Sequence, residues 1–143
     1  MPAVQSKIDV AGEAFQRNRA RMLALIERLR ALEQRTRDAS ADAKPLFDKR
    51  GQLLPRERIA RLLDPGAPWL ELSSMAGYCL DKQDPEKTIP GGGMIAGIGY
   101  VSGARAMVVA SDSGIDAGAI QHMGREKLLR AGADRIVSPY TRA

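Results

Sequence analysis

Few residues of this chain could do side-chain chemistry. His122 is the single histidine and has no serine or cysteine beside it in a nucleophile elbow; a lone histidine is more often structural. Cys79 lies in a polar stretch with no second cysteine to make a metal pair or a disulfide. Asp112 and Asp116 sit one helical turn apart and could in principle share a metal, but no further ligand cluster supports one. No catalytic side chain and no metal site are therefore assigned. The run GGGMIAGIG has the glycine spacing of a dinucleotide fingerprint. It precedes or lies within a strand, whereas that fingerprint follows a strand and opens a helix, so the match is rejected. What survives is backbone chemistry. After the apolar block Met107–Ala110 the chain turns small and polar through Ser113–Gly118. Amide donors of such a loop, around Gly114, Ile115, Ala117 and Gly118, could hold a thioester or a phosphate. The same residues also read as a plain strand-to-helix turn.

The elements that must position this loop are legible around it. Pro90 with Gly91, Gly92 and Gly93 reads as a mobile approach, because glycine reaches positive φ without steric cost. Met94–Val101 and Ala106–Ala110 read as two strands joined at Ser102-Gly103, a β-hairpin. The continuous apolar block Met107–Ala110 predicts a strand buried on both faces. A last helix is expected from near Ala119 or His122, carrying Met123, Leu128 and Leu129 and stopping at Gly132. Upstream, Glu13 to about Ala39 has helical spacing, with Phe15, Met22, Ile26, Leu29 and Leu32 near one face and no Pro or Gly inside it. That stripe must pack on something beyond its nearest neighbours. Ser40–Pro45 loosens the chain and Lys49-Arg50-Gly51 reads as a turn. A short helix is expected from Pro55 through Leu62-Leu63, stopped by Asp64-Pro65-Gly66, and Trp69–Leu72 alternates like a brief strand.

At 143 residues the chain suits one domain. No apolar run approaches the roughly 20 residues that span a bilayer, and the N-terminus has no secretory h-region. The lone cysteine fits a reducing cytosol, so a cytoplasmic protein without membrane partners is expected. The net charge of +5 comes largely from early arginines, among them Arg17, Arg19, Arg21 and Arg28, interleaved with Glu13, Glu27 and Glu33. Acid and base at helical spacing describe a solvated helix face better than a nucleic-acid face. Aromatics are only 4%, so stacking platforms for single strands are scarce and no nucleic-acid partner is expected. Phosphate-bearing substrates such as coenzyme A esters remain compatible with a basic chain.

Three blocks of residues carry a resemblance. Lys49–Ser73, KRGQLLPRERIARLLDPGAPWLELS, resembles the opening of the carboxyltransferase (beta) subunits of biotin-dependent acyl-CoA carboxylases, where LLxRERI is followed by LLDPGSPFLEL. Ala76-Gly77-Tyr78 and then Ile89–Gly103, IPGGGMIAGIGYVSG, are similar to that family's VPGGGIITGIGRVSG. Met107–Asp112, Gly118, Lys127 and Leu129-Arg130-Ala131 resemble its buried strand, Gly-Gly bend and KKxLRAQ helix. The likeness covers about residues 7–131 and is nearest the methylcrotonyl-CoA and geranyl-CoA branch.

The resemblance implies an α/β, crotonase-like fold of stacked β-β-α units, here a truncated N-domain behind a long N-terminal helix. It implies an acyl-CoA substrate bound by the N-domain, with Gly114, Ile115, Ala117 and Gly118 lining the pocket. It implies carboxyl transfer from carboxybiotin, with biotin carried by a separate alpha subunit, and homo-oligomers of the full-length chain. Backbone oxyanion holes serve that reaction, so no catalytic histidine or cysteine is required. The implied divisions are an N-terminal helical extension at 1–48, the start of the carboxyltransferase N-domain at 49–131 and a non-matching tail at 132–143.

Departures from the family are local. Asp116 stands where a lysine is common, Ala119, Ile120 and Gln121 replace Thr-Tyr-Tyr, and His122 stands where Pro is usual. The smaller, more aliphatic wall suits a longer prenyl chain, and SGIDAGAI resembles the geranyl-CoA branch. After Ala131 the family's next strand and Gly-Gly-Ala oxyanion loop give way to GADRIVSPYTRA. The expectation is thus a fragment that is inactive alone. A different reading stays open beside it: a small basic binding or scaffold protein that uses its long N-terminal helix.

Overall fold

From Glu13 to Ala41 nothing in the sequence interrupts a helix, and these residues form α1, 29 residues long. The computed structural model describes residues 6–80 and 82–132, so the expected tail 132–143 lies, past Gly132, outside the described residues. The chain divides into two compact units, Met1–Ala31 and Leu32–Ala143. In the first, Asp9 makes the turn that leads into α1: its carbonyl accepts the Gly12 N–H at 3.3 Å and its carboxylate the Ala11 N–H at 3.0 Å. Met22 and Leu25 of this unit are 57% and 60% exposed. The buried residues of α1 are instead the polar Thr36 and Ser40, which belong to the second unit.

The second unit is built on an antiparallel sheet of three strands: β1 (Leu70–Glu71), β2 (Met94–Val101) and β3 (Ala104–Ser111), in that spatial order. β2 and β3 pair from Met94 opposite Ser111 to Val101 opposite Ala104. Their turn is Ser102-Gly103, at φ +52° and +77°. Both central residues being left-handed makes it the type I′ turn whose twist suits a two-residue hairpin. Asp64 locks it, its two carboxylate oxygens accepting the Ser102 and Gly103 amides at 2.7 Å each. Three further helices follow the expected punctuation except for one. α2 (Lys44–Lys49) occupies a stretch that the sequence assigns to loose chain and a turn. Pro45 opens it rather than breaking it, because a first-turn N–H needs no partner. α3 (Pro55–Leu62) starts on Pro55, and the Glu57 carboxylate accepts the Leu54 N–H at 2.9 Å. α4 (His122–Arg130) ends at Gly132, φ +80°.

The core is Ile59, Ile95 and Val108, with Leu63, Trp69, Val101 and Ala110 packed against it. α3 therefore covers the sheet face that carries Ile95. Trp69 lies across Gly97 of the same face, where a Cβ would collide with its ring, and at Gly99 a Cβ would meet Leu63 first. α4 packs on β2, on the face of Met94, since neighbouring residues of a strand point to opposite sides. β2, β3 and α4 thus make one β-β-α unit.

Two expectations are corrected here. Met107–Ala110 is not buried on both faces: Met107 is 37% exposed and only Val108 of the four is buried. The doubly covered strand is β2, whose Ile95 packs under α3 and whose Met94 faces α4, whereas β3 is the edge of the sheet among the described residues. The glycines before β2 are not a mobile approach either. Gly91, Gly92 and Gly93 are all buried at φ +103°, +63° and +69°. The Gly91 N–H donates to Ala76 at 2.8 Å, and the Gly92 backbone abuts Gly124 of α4 too closely for a side chain on either. Their positive φ serves close packing rather than freedom.

Candidate functional site

The site grows from the end of β3. Asp112, the first residue beyond it, is 1% exposed and makes three hydrogen bonds and one longer ionic contact. Its N–H donates to the Gly93 carbonyl at 2.8 Å, and its own carbonyl accepts the Ile115 N–H at 2.9 Å. Its Oδ1 accepts the Ser40 hydroxyl at 2.6 Å, and its Oδ2 lies 3.7 Å from Arg56 Nε. The loop then runs through three successive left-handed residues, Asp116, Ala117 and Gly118, at φ +46°, +53° and +86°. Positive φ at two non-glycine residues is uncommon and is held here by hydrogen bonds. The Gly118 N–H donates to Ile115 and the Ala119 N–H to Asp116, at 2.9 and 3.0 Å, while Asp116 accepts Gln121 Nε2 at 2.9 Å. Asp112 and Asp116 face different surroundings, one buried on Ser40 and Arg56, the other exposed.

The four loop residues singled out from sequence do not share one environment. Gly114 and Ala117, with Ser113, border an open concavity of about 740 Å³ whose other walls include Leu46, Phe47, Arg50 and Arg58. Ile115 turns away from it, is 7% exposed and lines a small polar pocket with Arg56, Glu71 and Asp112. Gly118 borders neither space, and its amide, like that of Ile115, is used within the loop. The amides of Gly114 and Ala117 have no intramolecular acceptor among the described residues. Gly114 also needs to be glycine for packing: a Cβ would meet the Ser40 carbonyl oxygen at 2.5 Å.

Behind the loop lies an ionic cluster that sequence reasoning missed. Arg56 binds Glu71 bidentately, at 2.9 and 3.0 Å. Burial alone would raise the Glu71 carboxyl, but Arg56, with Lys127 and Arg37 further off, holds it below the ordinary carboxylate value. Lys127 of α4 is 4% exposed and donates to the Met94 carbonyl at 2.6 Å. Burial pushes its ammonium down from the usual lysine range, against the opposing pull of Glu71 and Asp112. No local period announces these residues. Ser40 and Asp112 stand 72 positions apart, so only the fold brings them together.

The comparisons with known proteins decide the family. Residues 48–140 match the family model described as the carboxyl transferase domain. The chain belongs to that family. Among relatives, the mitochondrial methylcrotonoyl-CoA carboxylase beta chain of Arabidopsis thaliana is 38% identical over 125 residues, covering 87% of this chain and 21% of its own. Among solved structures, the beta subunit of P. aeruginosa geranyl-CoA carboxylase superposes with a TM-score of 0.81 at 56% identity, over 91% of this chain and 24% of that one. The transcarboxylase 12S hexamer, at TM-score 0.65 and 19% identity over 79% of this chain and 22% of its own, shares the fold. The α/β architecture is thus the crotonase-like fold of carboxyltransferase beta subunits. The chain spans about a fifth of the length of these relatives. Among the described residues no helix is long and apolar enough to cross a membrane.

Proposed function

We propose that this chain is the acyl-CoA-binding portion of a carboxyltransferase subunit acting on geranyl-CoA or 3-methylcrotonyl-CoA. In this reading a separate alpha subunit brings carboxybiotin, whose carboxyl group passes to the acyl-CoA. The likeness to the geranyl-CoA carboxylase beta subunit carries the choice of substrate branch. The concavity beside the loop carries the choice of site. Arg50 and Arg58 offer charge for phosphates, and Gly114 and Ala117 offer unpaired amides for a phosphate or thioester oxygen. Ile115 and Gly118 then act by shaping the loop rather than by touching the ligand.

Biotin stays with the partner in this reading. The donors at the concavity, among them the Arg50 and Arg58 guanidinium groups and the Gly114 and Ala117 amides, suit phosphates. In this reading the residues here bind and orient the thioester substrate. By the same reading, residues 1–48 are the helical extension and 49–131 the start of the N-domain. Assembly into homo-oligomers is proposed by analogy with the hexamer of transcarboxylase 12S. A cytoplasmic setting fits the single free cysteine, Cys79.

Calorimetric titration of the chain with geranyl-CoA and with free coenzyme A tests this reading. Saturable binding that weakens about tenfold in Arg50→Ala/Arg58→Ala and falls with added salt is the expected result. No heat with either ligand would reject the concavity as the site. Steeply salt-dependent RNA binding in its place would favour the basic scaffold reading.

A further inference from the structure

The proposed concavity is walled by residues between 43 and 53, which include α2, by Arg58 of α3 and by the loop after β3. One buried carboxylate contacts α3, the loop and the end of α1, which leads into the first of these walls. Ala43 comes from the segment after α1, Arg58 from α3, and Ser113, Gly114 and Ala117 from the loop after β3. Asp112 immediately precedes that loop. Through Oδ1 it holds Ser40, at the end of α1, and through Oδ2 it faces Arg56, two residues before Arg58 on α3. Through its carbonyl it holds the Ile115 amide. At Gly114 the loop backbone approaches the Ser40 carbonyl as closely as a glycine permits.

The Arg56 side of this arrangement is not built for stability. At 3.7 Å the contact is too long for a hydrogen bond, and both Arg56 Nε and Asp112 Oδ2 are buried with no hydrogen-bond partner. A buried ion pair with imperfect geometry recovers little of its desolvation cost. Arg56 is nonetheless held in place by its bidentate grip on Glu71 of β1. The arrangement fixes distances between elements instead. We infer that Asp112 is a positioning residue for the concavity, setting the end of α1, α3 and the loop in one relation so that Gly114 and Ala117 border the same space as Arg58. Only the identity of the ligand rests on the acyl-CoA reading; the positioning is a property of the chain itself.

The test uses the 143-residue chain, labelled with nitrogen-15, and two variants. Asp112→Asn keeps the shape but removes the charge facing Arg56. Ser40→Ala keeps the charge but removes the hydroxyl donor. In both, the Ile115 and Gly118 amides should exchange at least about tenfold faster. The Gly114 and Ala117 resonances should move, while the Ile95 and Ala96 amides of β2 keep wild-type exchange. A purely structural role would instead loosen β2 together with the loop. Unchanged Ile115 exchange, or parallel loosening of β2, overturns the inference. If Asp112→Asn does not fold, Ser40→Ala decides alone. Geranyl-CoA titration separates the two readings: no binding by the wild type rejects the ligand while the exchange data still judge the positioning. Equal binding by wild type and both variants overturns the positioning.

Discussion

Gly124→Ala should destabilise this protein, although helix propensity alone says the reverse. Alanine in a helix interior is favoured over glycine by about 1 kcal/mol. Here a Cβ at Gly124 would collide with the Gly92 carbonyl oxygen and stand 3.1 Å from both Gly92 C and Met94 Cγ. A Cβ on Gly92 would in turn meet the Gly124 nitrogen at 2.5 Å, so backbone faces backbone and no side chain can swing aside. Relief requires α4 to retreat by about 1 Å, in an interior with no slack to absorb it. That retreat would stretch the 2.6 Å bond from Lys127 Nζ to the Met94 carbonyl beyond hydrogen-bond reach. Overpacking costs about 1–3 kcal/mol. A buried donor left unpaired costs about 1–3 kcal/mol more. Set against the propensity gain of about 1 kcal/mol, the net loss is centred near 3 kcal/mol. At about 4 °C per kcal/mol, Tm falls by roughly 12 °C. Thermal melts followed by far-UV circular dichroism measure it, with Glu126→Ala on the same helix as a control expected to stay within about 0.5 kcal/mol. A Gly124→Ala protein that melts at or above the wild-type temperature would falsify the close docking of α4.

Four further outcomes follow. Asp64→Ala leaves the Ser102 and Gly103 amides without their acceptor and should cost about 1–2 kcal/mol in urea unfolding, discounted for exposure; an unchanged midpoint would show that the turn needs no lock. Glu71 has its folded-state pKa below the ordinary 4.5, so its contribution is present above 4.5 and is lost as pH falls through the lower folded value. Glu71→Gln should flatten that acid limb. Lys127 is displaced downward from 10.5, so between its folded value and 10.5 the unfolded chain binds more protons and stability rises with pH. Lys127→Met should remove that rise, and an alkaline limb identical to wild type would count against a buried ammonium. Finally, the exposed Met22 and Leu25 should drive concentration-dependent self-association, reduced in Met22→Lys/Leu25→Lys. Sedimentation of a wild-type monomer at high concentration would contradict it.

Much of the fold was legible wherever a local rule governs it. α1, the Pro55 start of α3, the Ser102-Gly103 hairpin and the Gly132 stop all follow from residues within a few positions of the feature. α2 falls where the sequence suggests loose chain and a turn, because the tolerance of Pro45 in a first turn depends on where the helix begins. The double burial expected of Met107–Ala110 went to β2 instead. An apolar run states that a strand can be covered, whereas strand order decides whether it is.

The candidate site divides along the same line. The sequence by itself determined that a small, polar, glycine-bearing loop follows a strand and which family the chain resembles. Only the tertiary structure decided which loop amides remain unpaired, those of Gly114 and Ala117 rather than Ile115 and Gly118. It alone brought Ser40, Arg56, Glu71, Asp112 and Lys127 into one cluster, with Ser40, Asp112 and Lys127 buried and the Arg56–Glu71 pair half-buried. Turn chemistry and periodicity act over a few residues and so leave a mark in the string. A buried charge is stabilised by partners on other elements, and nothing in the spacing of those partners along the chain records that they meet.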